Sequence, residues 1–224
     1  DPALVDEVIF GCVAQPADAT NVARVIALRA GIPQSVPAFT VQRNCASGCE
    51  AITQAQEKIL AGRGSVFIVG GVESMSNIPL LFKPGTVKKF ARVGRAKSFG
   101  QRLRAFAAFR PADFQPRIGL QLGLTDPVCG LNMGETAELL AREFDITRTE
   151  QDMFALQSHQ RAVAAHDRLA EEICPVFPGL QSTTTITQDN GPRASQSREA
   201  LARLKPVFDH KNGTVTAGNA SQIT

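Results

Sequence analysis

Two spacings of apolar residues alternate along the chain, and each change of spacing marks an element. Val5, Val8, Ile9 and Phe10 lead into Gly11-Cys12-Val13, a short apolar run that predicts a strand opening into a loop at Pro16. Val22, Val25, Ile26 and Leu28 then recur at helical spacing, with Thr20 placed to cap the helix and Gly31 and Pro33 placed to stop it. Val36 to Val41 is β-branched and aromatic, which predicts a second strand. Ala51, Ile52, Ala55, Ile59 and Leu60 return to helical spacing until Gly62 and Gly64. Ser65-Val66-Phe67-Ile68-Val69 is continuously apolar, which predicts a strand buried on both faces and ended by Gly70-Gly71. Strand, helix, strand, helix, strand is the order of a layered α/β domain with a parallel or mixed sheet.

Beyond Pro79 the pattern loosens. Gly119 to Gly134 is glycine-rich and carries Asp126-Pro127, so it reads as a loop. It delivers Met133 to a helix on which Met133, Ala137, Leu140 and Phe144 share a face, and that face predicts a core position for Met133. Thr147-Arg148-Thr149-Glu150 is a capping box opening a longer helix that runs to about Leu169. Ser182 to Thr187 is β-branched and predicts a strand, Asp189-Asn190-Gly191-Pro192 a turn, and Glu199 to Leu204 a short helix stopped by Pro206. Gly213 to Ser221 is β-branched at first and then small, a texture that lets backbone approach a ligand closely.

Composition narrows the class without naming a function. With 224 residues, 43% hydrophobic and 20% charged, the chain can bury a sizeable core as one large domain or two modest ones. A net charge of +3 is too weak to argue for nucleic acid. Cys12, Cys45, Cys49, Cys129 and Cys174 are odd in number and scattered, which suits a reducing compartment. No apolar run is long enough for a bilayer, and Asp1-Pro2-Ala3 is no secretory leader, so the expected location is the cytoplasm. Charge is uneven locally: from Lys83 to Arg110 there are many Lys and Arg and no Asp or Glu, interleaved with Val87, Phe90, Val93, Phe99, Leu103, Phe106 and Phe109. Such a segment suits phosphates, a membrane surface or an acidic partner, or is a solvated insertion with apolar anchors.

The chemistry-bearing candidate is Asn44-Cys45-Ala46-Ser47-Gly48, which puts a thiol where a strand stops and a helix starts. Unpaired N–H groups and the positive end of the dipole at a helix N-terminus favour negative charge on sulfur. The small residues after Cys45 leave room for a substrate carbonyl. The residues equally allow a structural Cys45, small and buried at a tight junction. Cys49 adds no metal site, because its spacing matches no zinc or CxxC interval. His159 and His166, seven apart on one helix, lack a ligand partner at suitable spacing and read as structural.

Four strings in order resemble the thiolase family along essentially the whole chain: Asn44 to Gly48, Gly70-Gly71-Val72-Glu73-Ser74-Met75-Ser76, Met133-Gly134-Glu135-Thr136-Ala137-Glu138, and Gly213 to Ser221. The resemblance implies an α/β, layered αβαβα fold of two similar halves. Of this the chain carries most of the N-terminal half, residues 1–81 and 206–224, with an inserted loop domain at 82–205. The first strand and helix of that fold are missing. It further implies that Cys45 takes an acyl group from a 3-ketoacyl-CoA and passes it to a second CoA, or that the site runs in the reverse direction, the Claisen condensation of acetyl-CoA. Coenzyme A is then a substrate, with no cofactor and no metal. Leu124, Met133, Arg193, Phe208, Ala217 and Ser221 match CoA-contacting positions of the family. Arg193 falls near the nucleotide, and Met133, Phe208 and Ala217 line the pantetheine tunnel.

Two departures accompany the match. Asn132 stands where many family members have His. The family's Gly-His-Pro, Cys-Gly-Gly and Asn-Glu-Ala-Phe blocks are absent, and His159, His166 and His210 have no matching neighbourhood. The resemblance therefore implies a fragment that is inactive alone, whose parent protein is a homodimer or homotetramer and could pair with a fatty-acid oxidation subunit. The basic segment and Asp189 to Arg193 look more like thiolases of fatty-acid oxidation multienzymes than like the short biosynthetic ones. Two other classes fit the residues: a docking module using segment 83–110 with an inert Cys45, and a ketosynthase-like condensing enzyme acting on a carrier protein.

Overall fold

The computed structural model describes residues 1–179 and 183–222 and divides the chain into two compact units, Asp1–Leu120 and a second starting at Gln121. In the first unit β1 (Glu7–Gly11), α1 (Val22–Arg29), β2 (Ala38–Val41), α2 (Ser47–Leu60) and β3 (Phe67–Gly71) follow in the predicted order. The three strands are parallel in the order β2-β1-β3, with Val8 level with Ala38 and Ile68, and Ile9 level with Phe39 and Val69.

Side chains alternate across a strand, so β1 feeds two cores. Val8 points to one face with Val5, Ala27, Ile32 and Val36. Ile9 points to the other with Ala51 and Ala55. Val8 and Ile9 are 1% and 0% exposed, and each contributes about 1.5–3 kcal/mol of burial. Helix α1 lies over β1 and β2, and α2 over β1 and β3. Asp6 joins the strand starts by accepting from the Ser65 and Val66 N–H groups at 2.7 and 2.9 Å. Those backbone donors hold its carboxyl below the usual aspartate range.

Several expectations are corrected here. Asn21, not Thr20, caps α1, its Oδ1 accepting from Arg24 N. The buried stripe of α1 is Ala23 and Ala27, and that of α2 is Ala51 and Ala55. Leu28, Ile52, Ile59 and Leu60 are exposed, because close approach to a sheet selects small side chains. Strand β3 is not buried on both faces: Ile68 is 38% exposed and Val66, just before the strand, 43%, since β3 is an edge strand and α1 lies over the other two.

After β4 (Leu80–Leu81), the basic segment forms α3 (Pro84–Arg95) and α4 (Phe99–Ala107). Phe90 meets Phe82, Phe109 and Phe114 at centroid distances of 5.3, 4.9 and 6.5 Å. Asp113 fixes this cluster by accepting from Lys89, from Arg110 N and from the buried Thr86 hydroxyl. Lys89, then the Arg110 N–H, holds the Asp113 carboxyl below its usual range. β5 (Arg117–Ile118) pairs antiparallel with β4.

Part of the predicted 119–134 loop is helical, as α5 (Gly119–Leu124). The second unit continues with α6 (Met133–Glu143), α7 (Arg148–Ala164), α8 (His166–Ala170) and α9 (Arg198–Ala202). The Thr147 capping box opens α7 as expected, and the helical run then breaks at Ala165 before α8. The buried positions of α6 are Glu138 and Ala141, while Met133, Leu140 and Phe144 are 50%, 43% and 65% exposed. Met133 is thus no core residue; the adjoining face of α6 turns inward, where Glu138 accepts from distant backbone N–H groups. The strand expected at 182–187 reduces to one bridge between Val176 and Ile186, and Ser182 lies outside the described residues.

Candidate active site

The turn from β2 into α2 is closed by backbone and one hydroxyl. Asn44 has φ 47°, a left-handed conformation that Asn tolerates better than most residues. Ala46 N donates to Arg43 O and Ser47 N to Asn44 O, each at 3.0 Å. Ser47, 4% exposed, donates its hydroxyl to Asn44 O at 2.6 Å and accepts from Arg43 N at 2.8 Å. Outside the turn, Arg43 Nε reaches Glu50 Oε2 at 2.9 Å.

Cys45 sits at the apex of this turn and is exposed, so the buried, structural reading does not hold. Helix α2 starts two residues later without a side-chain cap. Glycine lets the helix start reach the carboxyl ends of the strands. A Cβ on Gly11 would lie 2.3 Å from Ser47 C, 2.4 Å from Ser47 O and 2.6 Å from Gly48 N, and one on Gly71 would lie 3.4 Å from Gly48 Cα. The carboxyl edge of a parallel sheet is where such folds bind ligands.

Beside this edge, Glu73 accepts from Val13 N at 2.8 Å and Ala14 N at 3.0 Å, and from the Cys12 thiol at 3.8 Å. Burial, then the Glu73 charge, pushes the Cys12 thiol above its ordinary value. Cys12 is therefore a proton-holding neighbour rather than a nucleophile.

The other predicted site residues lie in the second unit or, for Leu124, at its start. Phe208 packs on the first turn of α6: a Cβ on Gly134 would lie 2.0 Å from its ring, placing Phe208 next to Met133. Ala217 and Ser221 are exposed on one loop whose frame is buried. Both Glu138 oxygens accept from Thr214 N at 2.9 Å, Oε1 accepts from Val215 N at 2.8 Å, and Oε2 accepts from the Thr214 hydroxyl at 3.1 Å. Asn219 accepts from Thr216 N at 2.7 Å and donates to Thr214 O and Asp152 Oδ1, both at 3.0 Å. Asp152 is held in turn by Arg148 at 2.8 Å, whose guanidinium also donates to Leu201 O and Leu204 O. Arg193 is exposed, its N–H donating to His159 Nδ1 at 3.2 Å, so His159 has a structural partner. Among the described residues no hydrogen bond or ring contact joins Leu124 or Arg193 to the other candidates. An open groove of about 420 Å³ along α7, lined by Met153, Phe154, Leu156, Gln157 and Gln160, holds no reactive group.

Residue types alone did not single out Gly11, Ser47, Glu138, Asp152 or Asn219. For Gly11 the available signal was a glycine ending a strand; Glu138 lies off the apolar face that the sequence predicts for its helix, and Asn219 lies on a loop. No group of three His, Cys, Asp or Glu side chains is arranged to hold a metal among the described residues.

The model for the N-terminal domain of thiolases matches residues 1–224. The chain belongs to the thiolase family. Its relatives include the 3-ketoacyl-CoA thiolases of Serratia proteamaculans, 36% identical over all of this chain and 51% of that protein, and of Pseudoalteromonas translucida, 37% identical over 98% and 50%. Similar solved structures are the Bacillus anthracis acetyl-CoA acetyltransferase, with TM-score 0.81 and 38% identity over 99% of this chain and 52% of that one, and the human mitochondrial 3-ketoacyl-CoA thiolase in complex with CoA, with TM-score 0.79 and 35% identity over 100% and 51%. This thiolase chain spans about half the length of these relatives. The layered α/β class expected from the four strings is therefore the fold that the chain shares with solved thiolases.

Proposed function

We propose that this chain supplies the nucleophile of a thiolase-type acyltransferase acting on 3-ketoacyl-CoA. The observation that carries it is an exposed thiol at a strand-to-helix turn whose helix starts without a side-chain cap. In the degradative direction the Cys45 sulfur attacks the C3 carbonyl, and the C2–C3 bond breaks. The two-carbon CoA enolate leaves and is protonated as acetyl-CoA. A second CoA thiol then attacks the Cys45 thioester, releasing the shortened acyl-CoA and returning the sulfur. The first exchange replaces the C2–C3 bond with the Cys45 thioester and the second trades that thioester for another, so the difficult carbon–carbon step is split into two easier ones. The condensing direction runs through the same intermediate.

Leu124, Met133, Arg193, Phe208, Ala217 and Ser221 are the proposed CoA contacts, with Arg193 suited to phosphate by its guanidinium. The division into residues 1–81 with 206–224 and an inserted 82–205 belongs to the same reading. So does homo-oligomeric assembly. The base and the further oxyanion donors would come from sequence of the kind that fills the other half of the relatives, so the chain alone is inactive. A cytoplasmic location fits this reading, and among the described residues no helix is long and apolar enough to cross a membrane.

The experiment is acyl trapping on the full-length protein. Incubation with acetoacetyl-CoA and rapid acid quench should leave an acetyl mass on the peptide carrying Cys45. Cys45→Ser should lower thiolysis by on the order of 10⁴-fold or more. Full activity in that variant, or an acyl mass on another cysteine, would reject the assignment.

A further inference from the structure

We infer that His159 is a positioning residue that sets Arg193 against the phosphates of the CoA nucleotide, an inference that rests on the thiolase reading. Helix α7 carries an inward stripe at Asp152, Leu156 and His159, at i, i+4 and i+7, with Asp152 and Leu156 buried and His159 half-buried. Asp152 accepts from Asn219 at 3.0 Å, which ties the stripe to the loop bearing Ala217 and Ser221. His159 Nδ1 accepts from Arg193 N at 3.2 Å, which ties it to the turn bearing Arg193. Seven residues of helix rise by about 10.5 Å, so one helix face fixes the spacing between two groups of proposed CoA contacts.

The Arg193 turn has little else to hold it. Pro192, Arg193, Ala194 and Ser195 are exposed, and Pro192 has no N–H to donate. Arg193 O accepts from Gln196 N at 3.3 Å, a bond within the turn itself. On the other side the turn meets the loop: a Cβ on Gly191 would lie 2.7 Å from Gln222 Nε2, and Gln222 directly follows Ser221. Among the described residues, the bond to His159 is the one hydrogen bond that ties the Arg193 backbone to a helix.

The chemistry suits positioning. An imidazole whose Nδ1 accepts is neutral and carries its proton on Nε2. It holds the Arg193 backbone and leaves the side chain alone: the guanidinium has no ion-pair partner among the described residues, so its fork of donors is open to phosphate oxygens. An arginine on an unheld turn would lose chain freedom at each binding event. Holding the turn beforehand removes part of that cost.

The test is steady-state thiolysis by the full-length protein at saturating acetoacetyl-CoA with two acceptor thiols, CoA and pantetheine, the second lacking the nucleotide. His159→Phe keeps a ring and removes the acceptor. It should raise KM for CoA about two- to tenfold, the worth of one hydrogen bond, with kcat and the pantetheine KM at wild-type values. His159→Asn, whose Oδ1 can take the place of Nδ1, should restore KM. Arg193→Gln should raise KM for CoA about tenfold or more, and adding His159→Phe to it should change nothing further. Three results would overturn the inference: KM for CoA unchanged in His159→Phe, KM raised alike for CoA and pantetheine, or an added loss in the double variant. None of these touches the thiolase reading, which falls instead if Cys45→Ser keeps full activity.

Discussion

The Cys45 turn and the Gly213–Ser221 loop both present small side chains on a fixed backbone, yet they are held by opposite means. The turn is fixed by closeness: Gly11 and Gly71 let the start of α2 reach the strand ends, and the Ser47 hydroxyl closes the ring. The loop is fixed by buried polar side chains, with the Glu138 carboxylate on two backbone N–H groups and Asn219 bridging to Asp152. Packing of backbone on backbone leaves Cys45 exposed. A loop with few apolar groups must instead borrow order from hydrogen bonds, which gain strength where water is excluded.

The comparison is broken most directly at Glu138. Glu138→Ala orphans the Thr214 and Val215 N–H groups and should cost about 3 kcal/mol, seen as a lower denaturation midpoint with faster amide exchange confined to the second unit. Glu138→Gln should recover part of that loss. Gly11→Ala forces backbone apart at the α2 start and should cost about 2 kcal/mol, with exchange rising around Cys45 instead. A loss below about 0.5 kcal/mol would mean that close approach is not what sets the turn. Asn219→Ala should cost about 1–2 kcal/mol and loosen residues 214–219.

Acid should act on both units alike. Asp6 and Asp113 in the first unit, and Asp126, Glu150 and Asp209 in the second, are held below their usual values, chiefly by hydrogen bonds. A carboxyl depressed in the folded state stabilises it above the unfolded-state value and loses that contribution as pH falls through the folded one. Thermal midpoints should thus be flat near neutral pH and drop below about pH 4. A midpoint that rises on acidification would contradict the assignment. The smallest effect is chemical selectivity: iodoacetamide at neutral pH should modify exposed Cys45 well before Cys12, which is 3% exposed and faces Glu73.

Much of the first unit was legible because local signals agreed. Strand, helix and strand followed from the period of apolar residues, and Cys45 fell at the junction by position alone. The second unit was less legible. Its α6 face reads as apolar at Met133, Leu140 and Phe144, yet the buried face carries Glu138, whose partners lie 76 and 77 residues on. Periodicity reports which residues avoid water and cannot report a carboxylate buried for distant N–H groups. Burial of β3 was misread for a related reason: continuous apolar character cannot say whether a second layer covers an edge strand.

The amino-acid order by itself determined the alternation of elements, the thiol at the strand-to-helix junction, the acid-free stretch before Asp113 and membership in a family marked by four ordered strings. Each depends on neighbours within a few residues or on pattern along the chain. Tertiary structure alone decided that Cys45 is open while Cys12 is closed, that alanines rather than larger residues form the helix–sheet contacts, and that Glu138 and Asp152 carry the loop. Those outcomes depend on which distant backbone groups arrive together, because exposure and hydrogen-bond partnership are properties of assembled surfaces rather than of residues.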